Sequence, residues 1–165
     1  MTADVGTPPA GPGLLATTVA ALQGSGRLVA TDWDAETFDV HPREEGGLPI
    51  AGVILHTSNS VAFYAVWDDT VPAPARAAVA EWSVRANTDL TTSAVEFSLD
   101  TGILAIRSVV HLGSVTVGTP GVDVPEEATA ISRTAYAALL QESVMDVEAA
   151  YQRYRPQVAD LLAGT

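Results

Sequence analysis

Three histidines, His41, His56 and His111, and a short acidic run, Asp32, Asp34 and Glu36, are the side chains of this sequence most suited to chemistry. A metal site must gather several such ligands, and one helix face does so at spacings of three or four residues. The histidines fall instead on three separate segments that read as strands. Hydrogen-bonded strand histidines are therefore expected, and no metal. The alternation of Asp32, Asp34 and Glu36 opens like a calcium loop, which needs glycine at its sixth position and glutamate at its twelfth. Thr37 and Arg43 stand there. The run reads as an acidic turn between strands.

Nucleophilic and phosphate chemistry find no better footing. The chain has no cysteine, which removes thiol catalysis, thiolate metal sites and disulfides. There is no G-x-S-x-G elbow, and Ser108 and His111, three apart on a strand, point to opposite faces. All eight basic residues are arginine, so no lysine is present to fill a P-loop. Gly11-Pro12-Gly13 and Gly24-Ser25-Gly26 are too short for a dinucleotide loop. Asp68-Asp69 reads as a solvated turn. No catalytic residue, cofactor or metal is expected. An enzyme built on His111 or His56 with an acidic neighbour ranks last of three readings.

Charge narrows the partners. Twenty acidic residues against eight basic ones give a net charge of −12. Such a chain repels phosphate backbones and anionic membrane surfaces. Direct binding to nucleic acid or membrane is not expected. A partner protein with a basic surface, such as one that handles DNA, is favoured instead. With 165 residues and 47% hydrophobic content, there is enough apolar material for one core. No run reaches the roughly 18–20 apolar residues of a membrane span. Residues 1–13 carry no basic region of the kind that opens a signal peptide. A soluble cytoplasmic protein is expected.

The elements follow from periodicity. Residues 1–13 are rich in proline and glycine and read as a mobile tail, leaving 14–165 as a single domain. Leu15, Val19 and Leu22 make one apolar stripe, predicting a helix over 14–23. Strands are predicted at 27–33, 37–41, 52–57 and 60–67. In the last of these Val61, Phe63, Ala65 and Trp67 face one way, and Ala62, Tyr64 and Val66 the other. With both faces apolar, this strand should be central and covered on both sides. A second helix, 74–89, buries Ala75, Val79, Trp82, Ala86 and Leu90. A hairpin over 94–99 and 103–112 should turn at Thr101-Gly102. That register sets Leu99 opposite Leu104, Phe97 opposite Ile106 and Glu96 opposite Arg107. A short strand at 115–117 precedes a long helix from about Pro125, whose first turn holds Glu126 and Glu127. Leu140, Val144, Val147, Tyr151, Tyr154 and Val158 form its stripe. Pro156 should break it, leaving a short last helix over 156–163. The order is α-βββ-α-ββ(β)-α, with three or four strands in the first group. This is an α+β domain with an antiparallel sheet and helices packed on it.

The distinctive side chains left are aromatic, and the outward face of the last hairpin (Ile103, Ala105, Val109) is apolar as well. Such surface packs on another element or another chain. Trp67, Val79, Trp82 and Val109 are the candidate interface positions. The stretch 77–112, AAVAEWSVRANTDLTTSAVEFSLDTGILAIRSVVHL, resembles the YbjN-like family, which shares its fold with type III secretion chaperones. Glu81-Trp82 match the first part of that family's E-W-N-like motif. Ser83 replaces its asparagine, and Asn87 lies further along. Asp100 and Gly102 match the hairpin turn, and 128–159 the long final helix. The resemblance implies a homodimer that binds other proteins, chaperone-like or regulatory, in a bacterial stress response, with no catalytic residue. The alternative is a small-ligand-binding domain with a pocket between the sheet and the C-terminal helix.

Overall fold

The computed structural model describes residues 13–43, 47–117 and 130–164. The proline- and glycine-rich segment 1–12 and the acidic stretch around Glu126 and Glu127 lie outside those residues. The elements are α1 (Leu14–Gly24), β1 (Val29–Asp32), β2 (Thr37–Val40), β3 (Ile50–Leu55), β4 (Ser60–Val66), α2 (Arg76–Ala86), β5 (Ser93–Phe97), β6 (Leu104–His111), β7 (Thr116–Val117), β8 (Ala130–Ile131) and α3 (Arg133–Ala163). The fold is α+β. Six strands form one antiparallel sheet in the order β1-β2-β3-β4-β6-β5, which leaves β1 and β5 as edges. No helix among the described residues is long and apolar enough to cross a membrane.

Among the described residues, the three α-helices lie on one face of this sheet. The predicted stripe of α3 is buried from Leu140 to Val158. It packs on Val61, Phe63 and Ala65 of β4 and on Leu104, Ile106 and Val110 of β6, all of them core residues. Burying this much apolar surface is the main force holding helices to sheet. Polar links fix the layer in place. Ser143 of α3 meets Ser108 of β6 at 2.6 Å. Tyr136 of α3 meets Thr18 of α1 at 2.7 Å. The Trp82 indole of α2 donates to Gln157 of α3 at 3.0 Å.

Three sequence expectations are corrected. The long helix starts at Arg133, not near Pro125. Ser132 caps it by accepting the Ala135 N–H at 3.1 Å. The residues just before, Ala130–Ile131, pair in parallel with Thr116–Val117. Pro156 does not end the helix, which runs unbroken to Ala163. Its ring lies on the exposed side, while Tyr154 and Val158 on either side stay buried at 2% and 1% exposure. Burial of that stripe outweighs the one backbone bond that proline forfeits.

The third correction is the hairpin register. Phe97 stands opposite Leu104 and Glu96 opposite Ala105, two residues away from the expected pairing. The turn is longer than Thr101-Gly102: the Ser98 N–H donates to the Ile103 carbonyl at 2.9 Å, closing a loop over Leu99–Gly102. Arg76 holds that loop by donating to the carbonyls of Leu99 and Asp100, each at 2.8 Å. Gly102 enters it at φ 78°, where a side chain would be strained. A shift of two leaves every side chain on its face. The Glu96–Arg107 pair therefore survives as a diagonal contact at 2.7 Å.

Candidate interaction face of the sheet

The face of the sheet away from the helices is apolar at its centre. Alternation sets it out in rows. One row runs Ala30, Asp39, Ala51, Tyr64, Arg107, Ala94 from β1 to β5. The next runs Asp32, Thr37, Val53, Ala62, Val109. Val66 and Val109 are 38% and 37% exposed, while Ala62 and Ala105 sit at 0% and 5% between taller side chains. No helix among the described residues packs here. The expectation that β4 would be covered on both sides is thus corrected: it is central and apolar on both faces, and the helices cover one. Charge flanks the apolar centre of the rows. Asp32 and Asp39 lie towards β1, and the Arg107–Glu96 pair towards β5.

The four residues singled out in the sequence are not brought together. Val79 is fully buried under α2. Trp82 is 8% exposed and sets its ring edge-on to Tyr154, with centroids 5.5 Å apart. Neither offers surface to a partner, so both are core residues of this fold. Trp67 lies on the helix side, 4.7 Å from the Tyr151 ring. Val109 alone belongs to the open face. Tyr64, Ala51, Val53 and Asp39 were not singled out. The signal for them was the second apolar face of β4.

The histidines do not assemble a site either. His56 Nε2 meets Glu36 Oε2 at 2.6 Å, with both side chains about half exposed. Glu36 takes φ 53° at the end of the acidic turn, where Asp32 accepts the N–H groups of Asp34 and Ala35 at 3.1 and 3.0 Å. That turn is the connection the sequence predicted. His111 Nδ1 lies 2.8 Å from Ser60 Oγ. The Ser60 hydroxyl already donates to the Ser58 carbonyl at 3.1 Å. With its hydrogen committed there, Ser60 accepts from Nδ1–H and is not activated as a nucleophile. His41 is exposed just past β2. Among the described residues no three His, Asp or Glu side chains could hold a metal ion.

One groove lies between α3 and the connection that runs from β2 to β3. Its volume is about 390 Å³, and Arg27, Arg43, Leu48, Met145, Glu148 and Tyr151 line it. Arg27 is almost wholly buried there, and both Glu148 oxygens accept from it, at 2.8 and 3.1 Å. The protein thus supplies the counter-ion for its own buried cation. Burial raises the Tyr151 hydroxyl pKa, while Arg155 lowers it and Asp68 raises it further.

No family model matches the sequence, and no curated protein matches it. A solved structure does resemble the fold: that of YbjN from E. coli, described as a candidate transcription regulator. The two chains are 12% identical and superpose with a TM-score of 0.58 over 87% of this chain and 92% of that one. At that identity the likeness concerns the fold. The chain has a YbjN-like α+β fold, as the stretch around Glu81-Trp82 led us to expect.

Proposed function

We propose that the chain is a non-catalytic protein-binding module, an adaptor of regulatory or chaperone-like kind. It works as a homodimer and contacts proteins through the open face of its sheet. A bacterial stress response is the setting that the family resemblance suggests. The observation that carries the reading is the apolar centre of that face, on which no helix of the described residues packs, with Val66 and Val109 each more than one-third exposed. An apolar sheet surface left to water marks a contact with another chain. The net charge of −12 adds a preference for partners with basic surfaces. The regulatory description of the YbjN neighbour agrees with a binding role.

The test compares wild type with a Val66→Glu/Val109→Glu variant as bait in lysate of the native host, at two salt concentrations. Both residues are exposed, so the variant should keep its fold by circular dichroism. A set of proteins retained by wild type and lost by the variant is the expected result. The same set on both baits would overturn the open face as the contact surface.

A second reading has one observation in its favour. The groove beside Arg27 and Tyr151 is of the size that takes a small molecule, and the C-terminal helix forms one of its walls. A ligand there would raise the melting temperature, and the rise would grow with the logarithm of its free concentration once that exceeds Kd. The absence of any shift across a metabolite panel would remove it.

A further inference from the structure

The groove along α3 gathers positive charge in a protein whose net charge is −12. Two of the eight arginines stand together at one end of it, Arg27 at 3% exposure and Arg43 exposed. The Gln141 amide oxygen faces both guanidiniums, 3.2 Å from Arg27 Nε and 3.1 Å from Arg43 Nη2. Arg27 has no donor to spare, because Glu148 engages both of its terminal nitrogens at 2.8 and 3.1 Å. Glu148 thereby cancels the Arg27 charge. Arg43 has no carboxylate partner among the described residues, and Gln141 alone holds it there. Resting on the small-molecule reading of this groove, we infer that it binds a small amphipathic monoanion. The ligand class is an organic carboxylate with an apolar body, whose charged end Arg43 receives.

The shape of the groove suits such a molecule. Gln141, Met145, Glu148 and Gln152 follow one another along α3 at helical spacing. The cationic end therefore lies beside Gln141, and the groove runs from there towards Gln152. From Met145 to Gln152 the helix advances about 10 Å. Leu48, Ile50, Met145 and Ala149 make that stretch apolar. Met145 is 54% exposed although it lines the groove, so its side chain is apolar surface for an occupant to cover. Charge then selects the class. The planar fork of a guanidinium matches a carboxylate. A phosphate would bring a second negative charge to Glu148 with no further cation to balance it. A cation would meet Arg43 as a like charge, and a neutral molecule would leave it unused. The net charge of −12 repels anionic membranes, so the ligand arrives as a free molecule.

The test titrates the protein with decanoate and with decanol, which share one apolar chain and differ in charge. Both are kept below the concentrations at which they aggregate, and binding is read by calorimetry and by melting temperature. Wild type should bind decanoate roughly tenfold or more tighter than decanol, the worth of one charge-assisted hydrogen bond. Arg43→Met alters an exposed residue and should stay folded by circular dichroism while losing that preference. Met145→Glu should weaken both probes. Val66→Glu/Val109→Glu, on the far face of the sheet, should bind as wild type does, and loss of decanoate there would move the site out of the groove. A wild type without the preference, or an Arg43→Met variant that keeps it, overturns the monoanion. If Met145→Glu still weakens both probes in that case, the groove stands as a small-molecule site of another class. If neither probe binds wild type, the monoanion fails and the metabolite panel alone decides the groove. Glu44 and Glu45 follow Arg43 in the chain and lie outside the described residues. A preference that appears only in Glu44→Gln/Glu45→Gln would mean that Arg43 serves its own neighbours, and would overturn the monoanion too.

Discussion

The side-chain amide of Asn87 pairs with the backbone of Val95 as a neighbouring strand would. Its nitrogen donates to the Val95 carbonyl at 3.0 Å, and its oxygen accepts the Val95 N–H at 2.7 Å. β5 is an edge strand, so these are outward-facing groups that would otherwise be open to another chain. Asn87→Ala should destabilise by about 1–2 kcal/mol and promote aggregation on heating. Asn87→Asp keeps the acceptor but sets a carboxylate against the Val95 carbonyl, and should be no better than alanine. Urea unfolding and light scattering on the three proteins check this.

Tyr136 gives the stability a dependence on high pH. Thr18 donates its hydroxyl hydrogen to the Leu14 carbonyl at 2.7 Å, so in the Thr18–Tyr136 contact it is Tyr136 that donates. Burial pushes the Tyr136 pKa up from 10.0 to about 12. Folding is then undisturbed below pH 10. Between pH 10 and 12 the unfolded chain releases this proton first, and stability falls by about 2 kcal/mol. The sequence has no lysine to blur the window. Tyr136→Phe should be about 1 kcal/mol less stable than wild type at pH 9, from the lost bond, and overtake it near pH 12. Parallel curves at pH 9 and 12 would dispose of the idea.

The Arg27–Glu148 pair should be far more costly to halve than to delete. Glu148→Gln leaves a buried guanidinium without its counter-ion and should cost about 2–3 kcal/mol. Replacing both with leucine should recover most of that loss. A double variant as unstable as the single one would count against an electrostatic cause.

Gly52 is required by a ring. Phe38 lies opposite it in β2, and a β-carbon at residue 52 would run into the Phe38 ring. That ring also meets Phe63 edge-on at a centroid distance of 5.9 Å. Gly52→Ala should therefore cost about 2–3 kcal/mol by overpacking. Combining it with Phe38→Leu should be better tolerated than the sum of the two single changes.

How much of this was legible depends on the range of the forces involved. The stripes of α2 and α3 and the alternation in β4 are local patterns, and residues such as Val79, Val147 and Phe63 fall where those patterns put them. The faces of the last hairpin were also right, because a two-residue slip preserves them. Its register was not, because Arg76 sets the turn from another element. Pro156 was misread because the packing of Tyr154 and Val158 outweighs a local rule. Which face of β4 meets helices, and which meets water, is a count of layers that no strand carries in its own residues. Val79 and Trp82 were taken for interface for the same reason: an apolar aromatic stripe looks alike whether the chain buries it or a partner does.

Helix α3 is the last of the three helices along the chain, yet it roofs β3, β4, β5 and β6 and braces α1 and α2. During synthesis all six strands emerge before it. The nascent sheet thus exposes the core side, with Val61, Phe63 and Ile106, as well as the face that stays open. The contact between Thr18 and Tyr136 spans 118 residues and closes only when α3 arrives. Pairings at such separations make folding slow and leave intermediates prone to aggregate. Until α3 is made, the apolar core side of the sheet has no roof.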